Sequence, residues 1–351
     1  MATEKTVNNT EVLDITAKSI KTTDFVFMEK TLTVLNLGLE SGKNVILYGP
    51  GGYGKSQITE AFFNEKGITP YTITMGTGMT TDRLFGGLDI PTFNSTGKIE
   101  YLVENSFMNH EYVVFEELFD APDFILEQLK DILSSGVFRN GSQVFNIKTK
   151  YIICATNRTR EEFSKNASLQ ALMERFPLEL NVVWDNHNEI AYNTLLESKF
   201  GVGNVDPLIP FVLEQYAKKG IIISPRVAKT AYDIFLTSGI DGLMFIADFN
   251  KKSDILKNSI KEFEDNAKIN EIMFKITEIS EKLFDNDLDD IDKVREASAN
   301  IKILKALHAD LVEVKVSDNF VSKLNDKKTQ LDELINAQNK RIMIATSINE
   351  E

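Results

Sequence analysis

The chain has 351 residues, of which 42% are hydrophobic, and its formal net charge at pH 7 is −13. This length predicts two or three domains, with enough apolar residues for a sizeable core. The acidic balance argues against a broad, non-specific grip on nucleic acid or on an anionic membrane, because both carry negative charge.

Two further features of the composition concern the compartment. The single cysteine, Cys154, cannot form an internal disulfide, which favours a reducing environment. The sequence has no apolar run of about 18 residues, and polar and acidic residues occupy the N-terminal region where a signal peptide needs its apolar stretch. We therefore expect a cytoplasmic protein without membrane insertion.

Residues 49–56 read G-P-G-G-Y-G-K-S and fit the phosphate-loop pattern G-x-x-x-x-G-K-[ST] at every required position. Asn44–Tyr48 predicts a buried strand before the loop, and Gln57–Asn64 predicts a helix after it. The glycines let backbone N–H groups point at a phosphate, where the positive end of the helix adds to the attraction. A chance glycine-rich turn would not need this order of strand, loop and helix. We assign nucleotide binding to Gly49, Pro50, Gly51, Gly52, Tyr53, Gly54, Lys55, Ser56 and Gln57.

Within this loop, two side chains have separate predicted roles. Lys55 reaches the β- and γ-phosphates, and the Ser56 hydroxyl is placed to ligate Mg²⁺. The predicted ligands are therefore ATP and Mg²⁺.

Four more short runs, rich in β-branched or aromatic residues, alternate with helical patterns and predict further strands. They are Tyr71–Met75, Tyr112–Phe115, Tyr151–Ala155 and Leu178–Val183. With the first strand they predict an α/β fold with a five-stranded parallel sheet, which binds ligands at the carboxyl ends of its strands.

Polar side chains stand where two of these strands end. Paired carboxylates, Glu116 and Glu117, follow the third strand, and Asn157 follows the fourth. ATP hydrolysis needs one carboxylate to hold hydrated Mg²⁺ and another to polarise the attacking water, and we assign Glu116 and Glu117 to these tasks in that order. Asn157 is a candidate to orient the same water. An ordinary acidic helix start is the alternative for the pair, and Asn is common in any turn.

The chain contains no proline after Pro225 and no glycine after Gly242, which predicts a helical tail. A third, less regular apolar run extends over about 320–344, and residues 285–290 break the pattern between the first two. The tail is predicted to be an all-α bundle whose stripes pack against one another, with a partner-binding coiled coil as the alternative. The first two stripes are Ile269, Ile272, Ile276, Ile279 and Leu283, then Val294, Ala297, Ile301 and Leu304.

The order of these motifs resembles AAA+ ATPases of the MoxR type over about residues 25–250. The resemblance is carried by the phosphate loop, the Glu116-Glu117 pair, A-T-N at 155–157, L-M-E-R-F at 172–176 and S-P-R at 224–226. Residues 84–87 (L-F-G-G), 96–98 (T-G-K), Phe107 and Asn109 resemble the helix-2 insertion of that branch.

The resemblance implies roles for residues that spacing alone does not assign. It implies that Asn157 is the sensor-1 residue and that Arg175 is an arginine finger reaching the nucleotide of a neighbouring subunit. It implies that Arg226 is the sensor-2 arginine, which contacts the γ-phosphate from its own subunit. Arg158 and Arg160 are further candidates for contacts in trans. One departure is Glu116, where family members usually have Asp, and the helical tail is another.

Four regions are expected from these patterns. They are an N-terminal extension (1–24), a nucleotide-binding domain (25–184, with the insertion at about 76–106), a helical lid (185–250) and a C-terminal helical region (251–351). Asn94–Gly97 is predicted to be a hairpin turn in the insertion, with Phe93 and Ile99 facing a client, and a solvent-exposed loop is the alternative.

The resemblance implies a Mg²⁺-dependent ATPase in a ring, expected to be a homohexamer, that remodels or assembles a protein partner as a chaperone does. A von Willebrand factor A-type protein is a candidate partner. Two alternatives remain open: a nucleic-acid motor or restriction-type translocase on the same core, which the acidic charge disfavours, and a nucleotide-gated scaffold with weak hydrolysis, which only Glu116 supports. The composition, rich in Asn, Lys and Ile, suits a phage or an AT-rich bacterial genome.

Overall fold

The structure is a computed structural model that describes residues 21–141, 143–163, 167–285, 291–313 and 318–349. The expected N-terminal extension lies mostly outside the described residues, and so does most of the predicted break at 285–290.

Nine strands are present in this part of the chain. The five strands predicted from the sequence are all confirmed, with ends that move by one or two residues. The strands are β1 (Val45–Tyr48), β2 (Tyr71–Thr74), β3 (Gly87–Leu88), β4 (Tyr101–Leu102), β5 (Tyr112–Glu116), β6 (Val137–Asn140), β7 (Gln143–Asn146), β8 (Tyr151–Thr156) and β9 (Leu178–Asn181).

The central sheet is parallel and has the strand order β2-β5-β8-β1-β9. Every residue of β8 is buried, as expected for a strand whose two faces are both covered. In the register, Tyr48 at the end of β1 lies beside Thr156, and Glu116 at the end of β5 lies beside Ala155. The residues that follow β1, β5 and β8 therefore meet at one edge of the sheet.

Helices account for most of the remaining chain, and the helix predicted after the phosphate loop is confirmed. The first eight are α1 (Glu29–Ser41), α2 (Lys55–Glu65), α3 (Thr81–Phe85), α4 (Ile90–Thr96), α5 (Asp123–Ser135), α6 (Arg160–Phe163), α7 (Ala167–Met173) and α8 (Glu189–Phe200). The last six are α9 (Leu208–Lys218), α10 (Pro225–Leu243, interrupted at Gly239), α11 (Ala247–Asn250), α12 (Ser253–Asp285), α13 (Ile291–Glu313) and α14 (Asp318–Asn349).

The hairpin turn predicted at Asn94–Gly97 is wrong. These residues are the end of α4 and its C-cap, where Gly97 has φ 69° and donates its N–H to the Phe93 carbonyl. At the other end, the Asp89 carboxylate accepts hydrogen bonds from the Thr92 N–H and hydroxyl. A capped start and a C-terminal glycine favour a short helix over a turn. The flanking β3 and β4 pair antiparallel on either side of α4.

The antiparallel hairpin of β6 and β7 was not predicted from the sequence. Phe138 pairs with Phe145 across it, and their rings stack at 6.0 Å. A signal was present in the sequence, because glycine is favoured in two-residue hairpin loops, and Gly141, with φ 60°, directly follows the pair of Asn140 with Gln143.

The chain forms two compact units. The first contains the residues up to Val205 and Ile223–Asp233, and the second contains Asp206–Ile222 and the chain from Ile234 onward. The boundary expected at residue 250 differs from this division, because α9 groups with the tail helices and packs against α12.

Seven of the nine residues in the first two predicted stripes lie in or against a shared core of α12, α13 and α14, and this part of the tail is helical as expected. Ile269, Ile272 and Ile279 pack against its edge, partly buried. The buried members are Ile276, Ala297, Ile301, Leu304, Leu307, Leu311, Leu331 and Ile335. Within the described ranges, no helix combines the length and the apolar character that crossing a bilayer requires.

Candidate nucleotide site

The phosphate loop connects β1 to α2 and needs glycine at two positions in particular. Gly52 and Gly54 have φ 86° and 84°, in the left-handed region where a side chain is strained. At Gly52, a Cβ atom would also lie 2.7 Å from the Ser224 hydroxyl oxygen. The loop pattern in the sequence therefore reflects both backbone conformation and close packing.

Lys55, the first residue of α2, turns its side chain back onto the loop. Its Nζ donates to the carbonyls of Gly49 (2.8 Å) and Pro50 (2.9 Å) and to Oδ1 of Asn157 (2.8 Å). Burial lowers the pKa of Lys55 to about 8, the Glu117 carboxylate opposes this shift, and the Arg226 guanidinium adds to it. The ammonium is satisfied here by neutral oxygens that an anionic phosphate can replace.

Asn157 joins this lysine to a carboxylate. Its side-chain Nδ2 donates to Oε1 of Glu117 (2.6 Å), and its backbone N–H donates to Oε2 of the same residue (3.1 Å). The two partners fix the amide orientation, since Oδ1 faces a donor and Nδ2 faces an acceptor. Glu117 has φ 51°, a left-handed conformation that few non-glycine residues adopt, and its N–H donates to the Ala155 carbonyl (2.7 Å).

Glu116 and Ser56 lie at the same edge of the sheet. Oε2 of Glu116 accepts a hydrogen bond from the Thr74 hydroxyl (3.0 Å), and Ser56 is exposed in the first turn of α2. Among the described residues, no cluster of three or more His, Cys, Asp and Glu side chains is placed to hold a metal. The Ser56 hydroxyl and the Glu116 carboxylate are oxygen donors of the kind that suits Mg²⁺. This ion keeps several waters and uses one or two protein ligands together with substrate phosphates.

Arg226 contacts the loop through its backbone. Its N–H donates to the Gly52 carbonyl (3.1 Å), which places the start of α10 against the phosphate loop. Its side chain is exposed.

Arg175 lies at the opposite end of the sheet, where β1 begins. Its carbonyl accepts from the side chain of Asn44 (2.9 Å), just before β1 begins, and its Nε donates to the Ser134 hydroxyl (2.9 Å). The strand β1 has four residues, so the loop begins about 13 Å further along. The structure therefore does not bring Arg175 to the loop of its own chain.

The two other arginines that were candidates for contacts in trans are held in ion pairs. Arg158 donates to Asp120 from Nε (2.8 Å) and from Nη2 (2.7 Å), and Arg160 pairs with Glu179. The second oxygen of Glu179 accepts from the Tyr48 hydroxyl (2.9 Å).

An aromatic group that was not predicted from the sequence supports the phosphate loop. Tyr53, which is buried, makes a hydrogen bond of 2.9 Å between its hydroxyl and Nε2 of His187. The ring of Trp184 stacks on His187 at 5.8 Å and meets Tyr53 edge-on at 6.1 Å. Burial lowers the pKa of His187, which favours the neutral imidazole at pH 7. A lone tryptophan just after a predicted strand was the only signal in the sequence.

A cavity of about 240 Å³ opens beside the loop. Gly52, Tyr53, Gly54 and Gln57 line one side of it, and Arg226 and Lys229 from α10 line another. Its apolar lining consists of Phe25, Val26, Met28, Trp184, Leu195 and Pro225.

A five-stranded parallel sheet in this order, with a phosphate loop after the strand next to the edge, defines an AAA+ type of P-loop nucleoside-triphosphatase fold. A family model described as the MoxR domain in the MoxR-vWA-beta-propeller ternary systems matches residues 11–205. This match spans more than half of the chain, and the protein belongs to that MoxR family.

Several solved structures resemble the chain distantly. NtrX from Brucella abortus in complex with ADP is 14% identical, with a TM-score of 0.43, over 59% of this chain and 48% of NtrX. A RuvB point mutant from Thermotoga maritima is 14% identical, with a TM-score of 0.40, over 84% of each chain. A putative ATPase from Cytophaga hutchinsonii is 12% identical, with a TM-score of 0.37, over 68% of this chain and 81% of that one. The chain thus spans about half of the length of NtrX.

Proposed function

We propose that this protein is a Mg²⁺-dependent ATPase that acts in a ring of identical subunits and remodels or assembles a protein partner. The observation that carries the proposal is the hydrogen-bonded chain from Lys55 through Asn157 to Glu117. Lys55, the proposed phosphate-binding cation, and Glu117, the proposed water-polarising carboxylate, are hydrogen-bonded to the two ends of the Asn157 amide.

A bound triphosphate offers Lys55 an anionic acceptor in place of the Gly49 and Pro50 carbonyls. Ser56 and Glu116 are the residues that would hold Mg²⁺, and the ion would neutralise negative charge that develops on the phosphate oxygens. Glu117 polarises a water molecule and accepts its proton as the water oxygen bonds to the γ-phosphorus. The bond between that phosphorus and the bridging oxygen breaks, so the products are ADP and inorganic phosphate.

The cavity beside the loop is the proposed position of the base. Its six apolar lining residues suit a flat aromatic ring, and the loop residues on its other side lead to the phosphates.

The position of Arg175 supports the proposal that the subunits assemble into a ring. An arginine about 13 Å from its own loop can act on a γ-phosphate only if a neighbouring subunit supplies the nucleotide. Such fingers are worth about 10³ to 10⁵ in rate, which ties hydrolysis to assembly.

A protein partner is supported by the insertion around α4 and by the family description. Leu88, Ile90, Phe93, Ile99 and Leu102 fall within 15 residues and are each 40–61% exposed, and such apolar surface is typical of interaction sites. The family description names von Willebrand factor A and β-propeller components, and proteins of these two types are the proposed partners.

The test is ATP turnover by the purified protein, with and without Mg²⁺, and with and without DNA. We expect Mg²⁺-dependent release of phosphate that DNA does not stimulate, and no turnover by Lys55→Ala. Native mass spectrometry of Glu117→Gln with ATP should show an assembly in multiples of the 39.6 kDa subunit, with six as the expected number. Absence of ATP binding would contradict the proposal, and strong stimulation by DNA would favour the nucleic-acid motor instead.

A further inference from the structure

Lys229 lines the cavity beside the phosphate loop, and phosphate binding does not require its positive charge. Lys229 lies on α10 three residues after Arg226, so both side chains are on one face of the helix. At about 1.5 Å per residue, Lys229 is about 4.5 Å further along the helix axis. Lys55 and Arg226 already stand at the loop itself, where the phosphates belong.

Two lysines line this cavity, and their surroundings differ. Lys199 forms an ion pair with Asp233 and lies over the ring of Phe200 at 4.7 Å. The ammonium of Lys229, in contrast, has no hydrogen-bond or ion-pair partner among the described residues. Lys229 is also half-buried.

Burial lowers the pKa of Lys229, the charge of Lys199 lowers it further, and the Asp24 carboxylate opposes both. A half-buried cation without a protein acceptor costs free energy, because it has lost part of its hydration and gained no partner in exchange. A ligand that brings an acceptor into the cavity would remove that cost.

We propose that Lys229 recognises the base of the bound nucleotide by donating a hydrogen bond to a ring nitrogen of a purine. An ammonium group is a donor only, and the imine nitrogens of a purine are acceptors. The apolar residues that share the cavity with Lys229 suit the faces of such a ring. This inference rests on the proposed function, because it assumes that a nucleoside triphosphate occupies the loop.

The experiment measures the dissociation constants of ATP and of 1-deaza-, 3-deaza- and 7-deaza-ATP by isothermal titration calorimetry. Each analogue replaces one ring nitrogen by C–H and leaves the ribose and phosphates unchanged. The wild type is compared with Lys229→Met and Lys229→Ala. Lys43→Met is the matched control. Lys43 is exposed and precedes β1, whereas the phosphate loop follows the other end of that strand.

One of the three analogues should bind the wild type about 10-fold more weakly than ATP, as expected for loss of a charged hydrogen bond. Lys229→Met and Lys229→Ala should bind ATP about 10-fold more weakly and should lose nothing further with that analogue. Lys43→Met should behave as the wild type does. The melting temperature of Lys229→Met without nucleotide should equal or exceed that of the wild type, because the unpaired ammonium is gone.

Equal weakening of ATP and all three analogues by the substitutions would overturn the inference, because it would place Lys229 on the ribose or the phosphates. Unchanged ATP affinity in both variants would overturn it as well. A wild type that binds no ATP would instead refute the proposed function, and with it the basis of this inference.

Discussion

Lys55, Asn157 and Glu117 come from three separate strand ends, and the strand order brings them together. Their meeting was predictable from the sequence, because each follows a short apolar run and parallel strands end at one edge. The folded-back position of Lys55 was not predictable, since it depends on carbonyl directions within the loop. The contact between Tyr53 and His187, 134 residues apart, was not predictable either, because no periodic pattern marks it.

The lowered pKa of Lys55 makes nucleotide binding dependent on pH. In the free protein the lysine loses its proton as the pH rises through about 8, whereas phosphates beside it favour the charged form. Binding should therefore take up a proton above pH 8, and ATP affinity should fall by up to about 10-fold for each further pH unit. Calorimetry at pH 9 in two buffers of different ionisation enthalpy measures this uptake, and a value of zero would contradict it.

Glu117→Gln should bind ATP and hydrolyse it at least about 100-fold more slowly, because an amide does not accept the proton of the attacking water. Glutamine keeps an oxygen for the Asn157 amide, so the hydrogen-bonded chain should persist. Glu116→Asp is the matched variant and should keep or raise the rate. Turnover by Glu117→Gln at the wild-type rate would show that another group polarises the water.

At the scale of elements, the strands of the central sheet were easier to predict from the sequence than the short helix and the hairpins outside it. The three inner strands β1, β5 and β8 are largely buried and produce nearly continuous apolar runs, and all five predicted strands are confirmed. The insertion is short and exposed, so its apolar residues form no such run. Residues 94–97 are of types that favour turns, but in the structure they are the end of α4 and its C-cap. The β6–β7 hairpin was not predicted, although Gly141 directly after Asn140 is typical of a hairpin connection.

Asp89→Ala tests whether the insertion contains a helix, because it removes the side chain that caps α4. Hydrogen exchange of the amides in residues 90–96 should become roughly 5-fold faster, while ATP turnover stays unchanged. Glu104→Ala, outside the helix, is the control. Equal exchange in both variants would argue against a capped helix at this position.

At the scale of the molecule, the grouping of α9 with the tail determines how much of the tail can be removed without loss of stability. The Tyr216 hydroxyl donates to the carbonyls of Phe249 (3.1 Å) and Lys252 (2.9 Å), and the rings of Phe211 and Phe263 lie 5.5 Å apart. The first turns of α12 are therefore part of the packing of α9, and the separate core of the tail begins at Ile269.

A chain that ends at Lys268 should stay folded and hydrolyse ATP, since it keeps every contact of α9 named above. A chain that ends at Asn250 should melt several degrees lower and aggregate, because it exposes the apolar face of α9. Differential scanning fluorimetry and turnover assays compare both with the full chain. Equal stability of the two shortened chains would contradict the role given to the start of α12.

Mixed assemblies test whether Arg175 acts between subunits. Arg175→Ala alone should leave ATP affinity near normal and lower turnover by about 10³-fold. Mixing it with Lys55→Ala should restore part of the activity, because some interfaces then pair an intact loop with an intact arginine. No recovery at any ratio, in assemblies shown to contain both variants, would refute action in trans.

Trp184 is the only tryptophan in the chain, and it stacks on His187 and touches the loop tyrosine. The tryptophan emission of the whole protein thus originates beside the phosphate loop. A ligand that enters this region changes the polarity around one indole ring, without background from other tryptophans. The protein therefore carries an intrinsic fluorescent reporter of occupancy, and stopped-flow optics can follow binding and release without any label.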